Sequence, residues 1–110
     1  MSQLKSPGTC ESLHDIREGI DYFDRQILDS LIQRLGYVKA AVQFKANEQA
    51  IPAPQRVAAM LEDRRQWAVA AGFEVAFVET LYSQIIQWNI QQQILHWQAT
   101  YPQRSTVGTG

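Results

Sequence analysis

Cysteine is nearly absent from this chain, since Cys10 is the only one among 110 residues. A single thiol excludes a disulfide framework and a zinc cluster, and it fits a reducing compartment. No apolar run approaches the roughly 18 residues of a membrane span, and residues 1–11 lack the apolar core of a signal peptide. We therefore expect a soluble, cytoplasmic protein without a targeting segment.

An excess of charge of either sign is also missing. Ten basic and eleven acidic residues leave a formal net charge of -1. This balance leaves no excess of positive charge that would attract nucleic acid or an anionic membrane surface, so we expect neither as a partner. A chain of 110 residues forms one domain but hardly encloses an active site alone, which makes a dimer the expectation.

Strand-like alternation is absent too, and the apolar residues recur at helical steps of three and four. A first helix is predicted to begin after the N-cap Ser12, with Asp15 as its capping-box partner, and to continue to about Lys45. Gly19 and Gly36 inside it each cost about 1 kcal/mol relative to alanine, which is tolerable where a neighbouring helix approaches closely. So long a helix needs a partner along its length.

Two further helices follow a connection that Pro52 and Pro54 prevent from being helical. Spacing predicts a short helix over 55–71, capped by Gly72, and a long one over 75–101. The fold class is therefore all-α, with long, short and long helices. The predicted segments are a flexible leader over 1–11, a single helical domain over 12–102 and a flexible tail over 103–110.

Cations flank the connection over 46–54. Arg34 lies eleven residues before Lys45, and eleven steps of about 100° come within roughly 20° of three turns, which predicts one shared helix face. Their backbones would lie about 16.5 Å apart, with room for one small dianion between the side chains. Arg56, in the first turn of the second helix, would close the opposite side as the loop folds over. The pattern predicts an anion site with a lid.

Two more residues complete the candidate site. Arg17 lies about 25 Å from Arg34 on another face of the first helix, so only a second chain can bring both to one ligand. Gln93 interrupts the apolar surface of the third helix, where an amide can orient an ether or carbonyl oxygen. The set holds no nucleophile paired with a base, no clustered metal ligands and no Gly-rich phosphate loop. We expect electrostatics and shape rather than acid–base chemistry.

Each of these residues also has a purely structural interpretation. Arg34 and Lys45 can be two solvated charges, and Gln93 can be a surface residue. Arg56 can stack on an aromatic ring or pair with Glu62. Arg17 can form a surface ion pair with an acidic residue nearby on the first helix, namely Glu18, Asp21 or Asp24.

The tryptophans and histidines are weaker candidates for the functional site. Trp67, Trp88 and Trp97 are interpreted as core or dimer-interface residues rather than as stacking platforms. His14 and His96 have no carboxylate or second ligand at a useful helical spacing, so we do not expect them to be catalytic.

Several segments carry a family pattern. They are Asp15-Ile16-Arg17, Arg34, Tyr37-Val38-Lys39-Ala40-Ala41, Phe44-Lys45-Ala46, Ile51-Pro52-Ala53-Pro54, Arg56-Val57-Ala58-Ala59-Met60-Leu61, and Gln84-Ile85-Ile86 to Gln93. Together they closely resemble the isochorismate-pyruvate lyases, a branch of the all-helical chorismate mutase superfamily. The resemblance covers roughly residues 10–97, and the Ile-Pro-Ala-Pro loop leading into Arg-Val-Ala-Ala-Met is specific to the lyase branch.

The resemblance implies the chorismate mutase type II fold as an intertwined homodimer, whose two active sites each use residues of both chains. It implies cleavage of isochorismate to salicylate and pyruvate by a concerted pericyclic step, without cofactor or metal, for a salicylate-containing siderophore, with weak chorismate mutase activity beside it. Lys45, Arg34 and Gln93 would be the catalytic residues. The substrate-binding residues would be these three together with Arg56 and, from the partner chain, Arg17.

Two other functions stay open at this point. One is a true chorismate mutase that feeds aromatic amino-acid synthesis, which should not need the Ile-Pro-Ala-Pro lid. The other is a noncatalytic helical dimer that binds a partner helix, which should tolerate neutralisation of Arg17, Arg34 and Lys45 one at a time.

Overall fold

The computed structural model describes residues 4–102, and within them it contains helices and no strand. The α-helices are α1 (Leu13–Ala40), α2 (Pro54–Ala71) and α3 (Val75–Thr100). Short 3-10 turns lie at Pro7–Thr9, Ala41–Phe44 and Glu48–Ala50. The predicted all-α class and the order long, short, long are confirmed. The predicted tail over 103–110 and the first three residues of the predicted leader lie outside the described residues.

The chain divides into two compact units, Met1–Gly36 and Tyr37–Gly110. The first contains most of α1, and the second contains the end of α1, the connection, α2 and α3. Among the described residues, no helix is long and apolar enough to cross a membrane.

The start of α1 follows the predicted cap. Ser12 accepts the Ile16 N–H on its carbonyl oxygen at 3.3 Å and the Asp15 N–H on its hydroxyl oxygen at 3.1 Å, which satisfies N–H groups that have no partner inside the helix. Asp15 reaches one residue further back than a capping box requires, because its Oδ2 accepts the Glu11 N–H at 2.9 Å. The predicted N-cap is confirmed, with this shift of one residue.

The end of α1 differs from the prediction. The α-helix stops at Ala40, continues as the 3-10 turn Ala41–Phe44, and leaves Lys45 extended, with φ -88° and ψ 140°. The tighter turn carries Val42 into the core, where it packs with Ile51 and Trp97. Tertiary packing therefore overrides a helical spacing that continues in the sequence. The prediction that Lys45 shares an α-helical face with an upstream arginine is wrong.

The connection is confirmed with one change at its end. Pro54 starts α2 instead of closing the loop, because a proline at the first helical position loses no hydrogen bond. Ala53 before it is left-handed, with φ 38°. Asn47 orders the middle of the loop, since its Oδ1 accepts the Ala50 N–H at 3.0 Å. At the far end of α2, Gly72 caps the helix at φ 67°, as predicted.

The core of the second unit is small. Val42, Ile51 and Trp97 form a buried cluster, against which Ile90, Ile94 and Tyr101 pack. Trp97 is 2% exposed, as expected of a core residue, whereas Trp67 and Trp88 are 53% and 50% exposed.

A polar tie joins α2 to α3. The Arg65 guanidinium bonds Glu62 on its own helix, with Nη2 2.7 Å from Oε1, and Glu79 on α3. Arg64 beside it stacks on the Trp67 ring, 4.2 Å from the ring centroid.

Candidate active site

Gln93 is held by the end of α1. Its side chain is buried, at 6% exposure for the residue, and Nε2 donates to the Val38 carbonyl oxygen at 2.6 Å. Because the last turn of an α-helix leaves carbonyl groups without intrahelical partners, Val38 is a natural acceptor. The prediction that a polar group on this face needs a partner is confirmed, and the interpretation of Gln93 as a surface residue is wrong.

The cluster of Val42, Ile51 and Trp97 positions the backbone around three candidate residues. Lys45 follows Val42 by three residues and donates its backbone N–H to the Val42 carbonyl at 3.0 Å. Arg56 follows the buried Ile51 by five residues and lies in the first turn of α2, as predicted. Gln93 precedes Trp97 by one helical turn. Thus a half-buried lysine, an exposed arginine and a buried amide belong to segments anchored in one core.

The other two cations lie on α1 in the first unit. Arg34 is half-buried and Arg17 is exposed. None of the ion pairs in the described part of the chain includes Arg17, so the surface pair considered for it is not what forms. An exposed guanidinium outside these ion pairs keeps its planar set of donors for a carboxylate ligand.

Two carboxylates that could have neutralised candidate residues have other partners. Glu18 lies 3.4 Å from His14 Nε2, one helical turn away. The prediction that His14 has no carboxylate at helical spacing is therefore wrong. Glu62 bonds Arg65 instead of Arg56.

Asn89 is a buried polar residue that the sequence analysis did not single out. It is as inaccessible as Gln93 and lies one turn before it on α3. The signal was present in the sequence, because Asn89 and Gln93 are four residues apart and therefore share one face of the third helix. α3 therefore buries two amides on neighbouring positions of one face.

Metal chemistry has no visible ligand set here. Within residues 4–102, no group of three or more His, Cys, Asp or Glu side chains is arranged to hold a metal ion. What the candidate residues offer is cationic and amide donors, which suit a ligand with carboxylate and ether oxygens.

Comparison with known proteins identifies the family of the chain. Residues 16–94 match the family described as chorismate mutase type II. The chain belongs to the chorismate mutase type II family. It is also 53% identical over 97 residues to a protein of Pseudomonas aeruginosa named isochorismate pyruvate lyase, an overlap of 88% of this chain and 96% of that protein. The family expected from the sequence is confirmed.

The match to the chorismate mutase type II family includes every candidate residue. Arg17 lies at its beginning and Gln93 at its end, with Arg34, Lys45 and Arg56 between them. The region matched to the family thus contains all five candidate residues.

Proposed function

We propose that this protein is an isochorismate pyruvate lyase, which cleaves isochorismate to salicylate and pyruvate. The observation that carries the proposal is the 53% identity to the Pseudomonas aeruginosa protein of that name, over nearly the whole of both chains. Membership of the chorismate mutase type II family supports it, because the candidate residues and most of each α-helix lie in the matched region.

The proposed reaction is a concerted pericyclic elimination. The ether bond between the ring and the enolpyruvyl group breaks while a ring hydrogen passes to the enolpyruvyl methylene carbon, which yields pyruvate and aromatic salicylate. No protein group accepts or donates a proton in this step. The protein accelerates it by holding the enolpyruvyl group over the ring and by placing positive charge where negative charge develops.

Each candidate residue has a role in this proposal. Arg34, and Arg17 from the partner chain, bind the two substrate carboxylates, for which the guanidinium fork is suited, and Arg56 completes the cationic wall. Lys45 stabilises negative charge on the ether oxygen as its bond lengthens, and Gln93 donates to the same region. Since Nε2 of Gln93 already donates one hydrogen to Val38, its second N–H is the donor left for the substrate.

A homodimer with shared sites is part of the proposal. Five apolar residues recur on α1 at steps of three and four, the spacing of helices that pack along a seam. The apolar seam of α1 consists of Leu13, Ile16, Ile20, Phe23 and Ile27, all between 36% and 60% exposed. An exposed apolar stripe of this length marks a protein interface. A second copy that covers it would also bring Arg17 to the other chain's pocket.

The second candidate is chorismate mutase activity, which the name of the family favours. A pocket that folds isochorismate for elimination can fold chorismate into a similar chair for rearrangement to prephenate. We therefore propose weak mutase activity beside the lyase. We further propose a cytoplasmic enzyme that needs no cofactor and supplies salicylate for siderophore synthesis.

The test is incubation of the purified protein with isochorismate and, separately, with chorismate. Salicylate fluorescence, pyruvate and prephenate are followed together. We expect salicylate and pyruvate in equal amounts from isochorismate. Prephenate as the dominant product would make the protein a mutase, and no product from either substrate would leave a noncatalytic helical dimer.

A further inference from the structure

The segment before α1 folds back on the first turn of the helix. A 3-10 turn over Pro7–Thr9 reverses the chain, closed by the Thr9 N–H on the Ser6 carbonyl at 3.0 Å. This reversal brings Lys5 Nζ to 3.0 Å from Asp15 Oδ2 and 3.6 Å from Glu11 Oε1. The segment thus contacts the first turn of α1 from residue 5 onward.

Asp15 is the centre of these contacts. Its Oδ2 accepts from Lys5 Nζ and from the Glu11 N–H, while its own N–H donates to the Ser12 hydroxyl. The side chain is only 15% exposed. The Glu11 N–H and the Lys5 ammonium both hold the pKa of the Asp15 carboxyl below its usual range. We call Lys5, Glu11, Ser12 and Asp15 the N-terminal clamp.

Arg17 is two residues beyond the centre of the clamp. In an α-helix its N–H bonds to the carbonyl of Leu13, the first residue of α1, so the Arg17 backbone is fixed only while the first turn is wound. Helix ends fray unless their unpaired groups are capped. Arg17 therefore lies where loosening of the N-terminal clamp displaces it directly.

We propose that Asp15 is a positioning residue for Arg17. The N-terminal clamp holds the first turn of α1, to which the Arg17 backbone is bonded, in place for binding of the substrate carboxylate in the partner's site. The inference rests on the proposed function, because it gives the N-terminal clamp a part in substrate binding. Asp15 itself does not touch the substrate. It acts by keeping the backbone of Arg17 in place at the start of α1.

A double-mutant cycle on the full-length protein tests this. Asp15→Ala, Arg17→Ala and the double variant are assayed with isochorismate for kcat and KM. We expect Asp15→Ala alone to lower kcat/KM about fivefold, the size of one lost hydrogen bond, mainly through a higher KM. In the Arg17→Ala background, the same change should alter kcat/KM less than about twofold, because the group it positions is gone.

Two further variants make the cycle decisive. Asp29→Ala removes an exposed carboxylate of α1 that lies outside the clamp, and it should leave kcat/KM unchanged. Lys5→Met removes only the two ion pairs of Lys5, and it replaces Asp15→Ala in the cycle if that variant does not fold. Equal losses in both backgrounds, or no loss in either, would overturn the inference while the lyase stands. A wild-type protein that does not turn over isochorismate would overturn the proposed function and this inference with it.

Discussion

At the scale of single residues, Gln93 links packing to chemistry. A buried amide costs free energy unless its donors and acceptor are paired, and the Val38 carbonyl at the end of α1 supplies one partner. Its burial was predictable from its place among apolar positions of the third helix. The identity of the partner was not, because it depends on where α1 stops. For Lys45, the position beside the loop was predictable from the sequence, but its extended backbone was not.

Replacement of Lys45 tests the electrostatic part of the proposal. Lys45→Ala should lower kcat by a factor of about 10² to 10³, because it removes a donor aimed at charge that grows in the transition state. KM should change much less. Steady-state kinetics with isochorismate measure both. Lys39→Ala, which removes a neighbouring lysine outside the site, is the matched control, and a comparable loss of kcat there would contradict the assignment.

Replacement of Gln93 tests its bond to α1. Gln93→Leu leaves the Val38 carbonyl without its side-chain partner, so the free energy of unfolding should fall by about 1 to 3 kcal/mol. Denaturant unfolding measures the change. The exposed neighbour Gln91 provides the control, since Gln91→Leu should leave stability nearly unchanged. Equal stability of Gln93→Leu and the wild type would show that the bond contributes nothing.

At the scale of elements, the helix starts and the end of α2 follow from local signals. Ser12, Pro54 and Gly72 act through backbone groups within a few residues, so their sequence neighbourhoods suffice. The end of α1 at Ala40 could not be predicted in this way, because it depends on the packing of Val42 against Trp97, 55 residues along the chain. The left-handed Ala53 was also unforeseen, since a residue before proline is biased towards extended geometry.

The bonds that Glu62 accepts from Arg65 and Gln66 within α2 should make stability depend on pH. Hydrogen bonds from Gln66 and Arg65 hold the pKa of Glu62 below its usual range. A carboxyl with a lowered native pKa stabilises the fold at pH above its unfolded pKa of about 4.3, and this contribution is lost as the pH falls through the native pKa. We expect the melting temperature to fall on acidification below about pH 4.3.

The variant Glu62→Gln separates this group from other carboxyls. It should lower the melting temperature at pH 7 and should make the decline below about pH 4.3 shallower than in the wild type. Asp29→Asn, on an exposed part of α1, is the control. It should leave the decline of the melting temperature at low pH unchanged. If the melting temperature of Glu62→Gln declined as steeply below about pH 4.3 as that of the wild type, the role of Glu62 would be refuted.

At the scale of the whole molecule, the apolar seam of α1 is the feature that a single chain leaves exposed to solvent. No residue of α1 is buried, although the helix is 28 residues long. Helices of this length derive most of their stability from tertiary packing. That α1 is a long helix with an apolar seam was predictable from spacing alone. How a second chain covers them was inferred from the family resemblance.

A charge in the seam should break the proposed dimer. Ile20→Asp places a carboxylate among apolar side chains, so it should shift the protein to monomer and abolish lyase activity together. Sedimentation velocity and the salicylate assay measure the two effects. Tyr22→Asp changes an exposed residue of α1 outside the seam and should remain dimeric. A dimeric, active Ile20→Asp variant would show that the interface lies elsewhere.

The central claim is a lyase whose sites are shared between chains, and complementation between inactive variants tests it most directly. Arg17→Ala and Lys45→Ala are unfolded together, refolded as a mixture, and assayed for salicylate from isochorismate. If Arg17 acts in the partner's site, each mixed dimer has one intact site, and the mixture should recover about a quarter of wild-type activity. A mixture no more active than the average of the two separate variants would contradict the shared site.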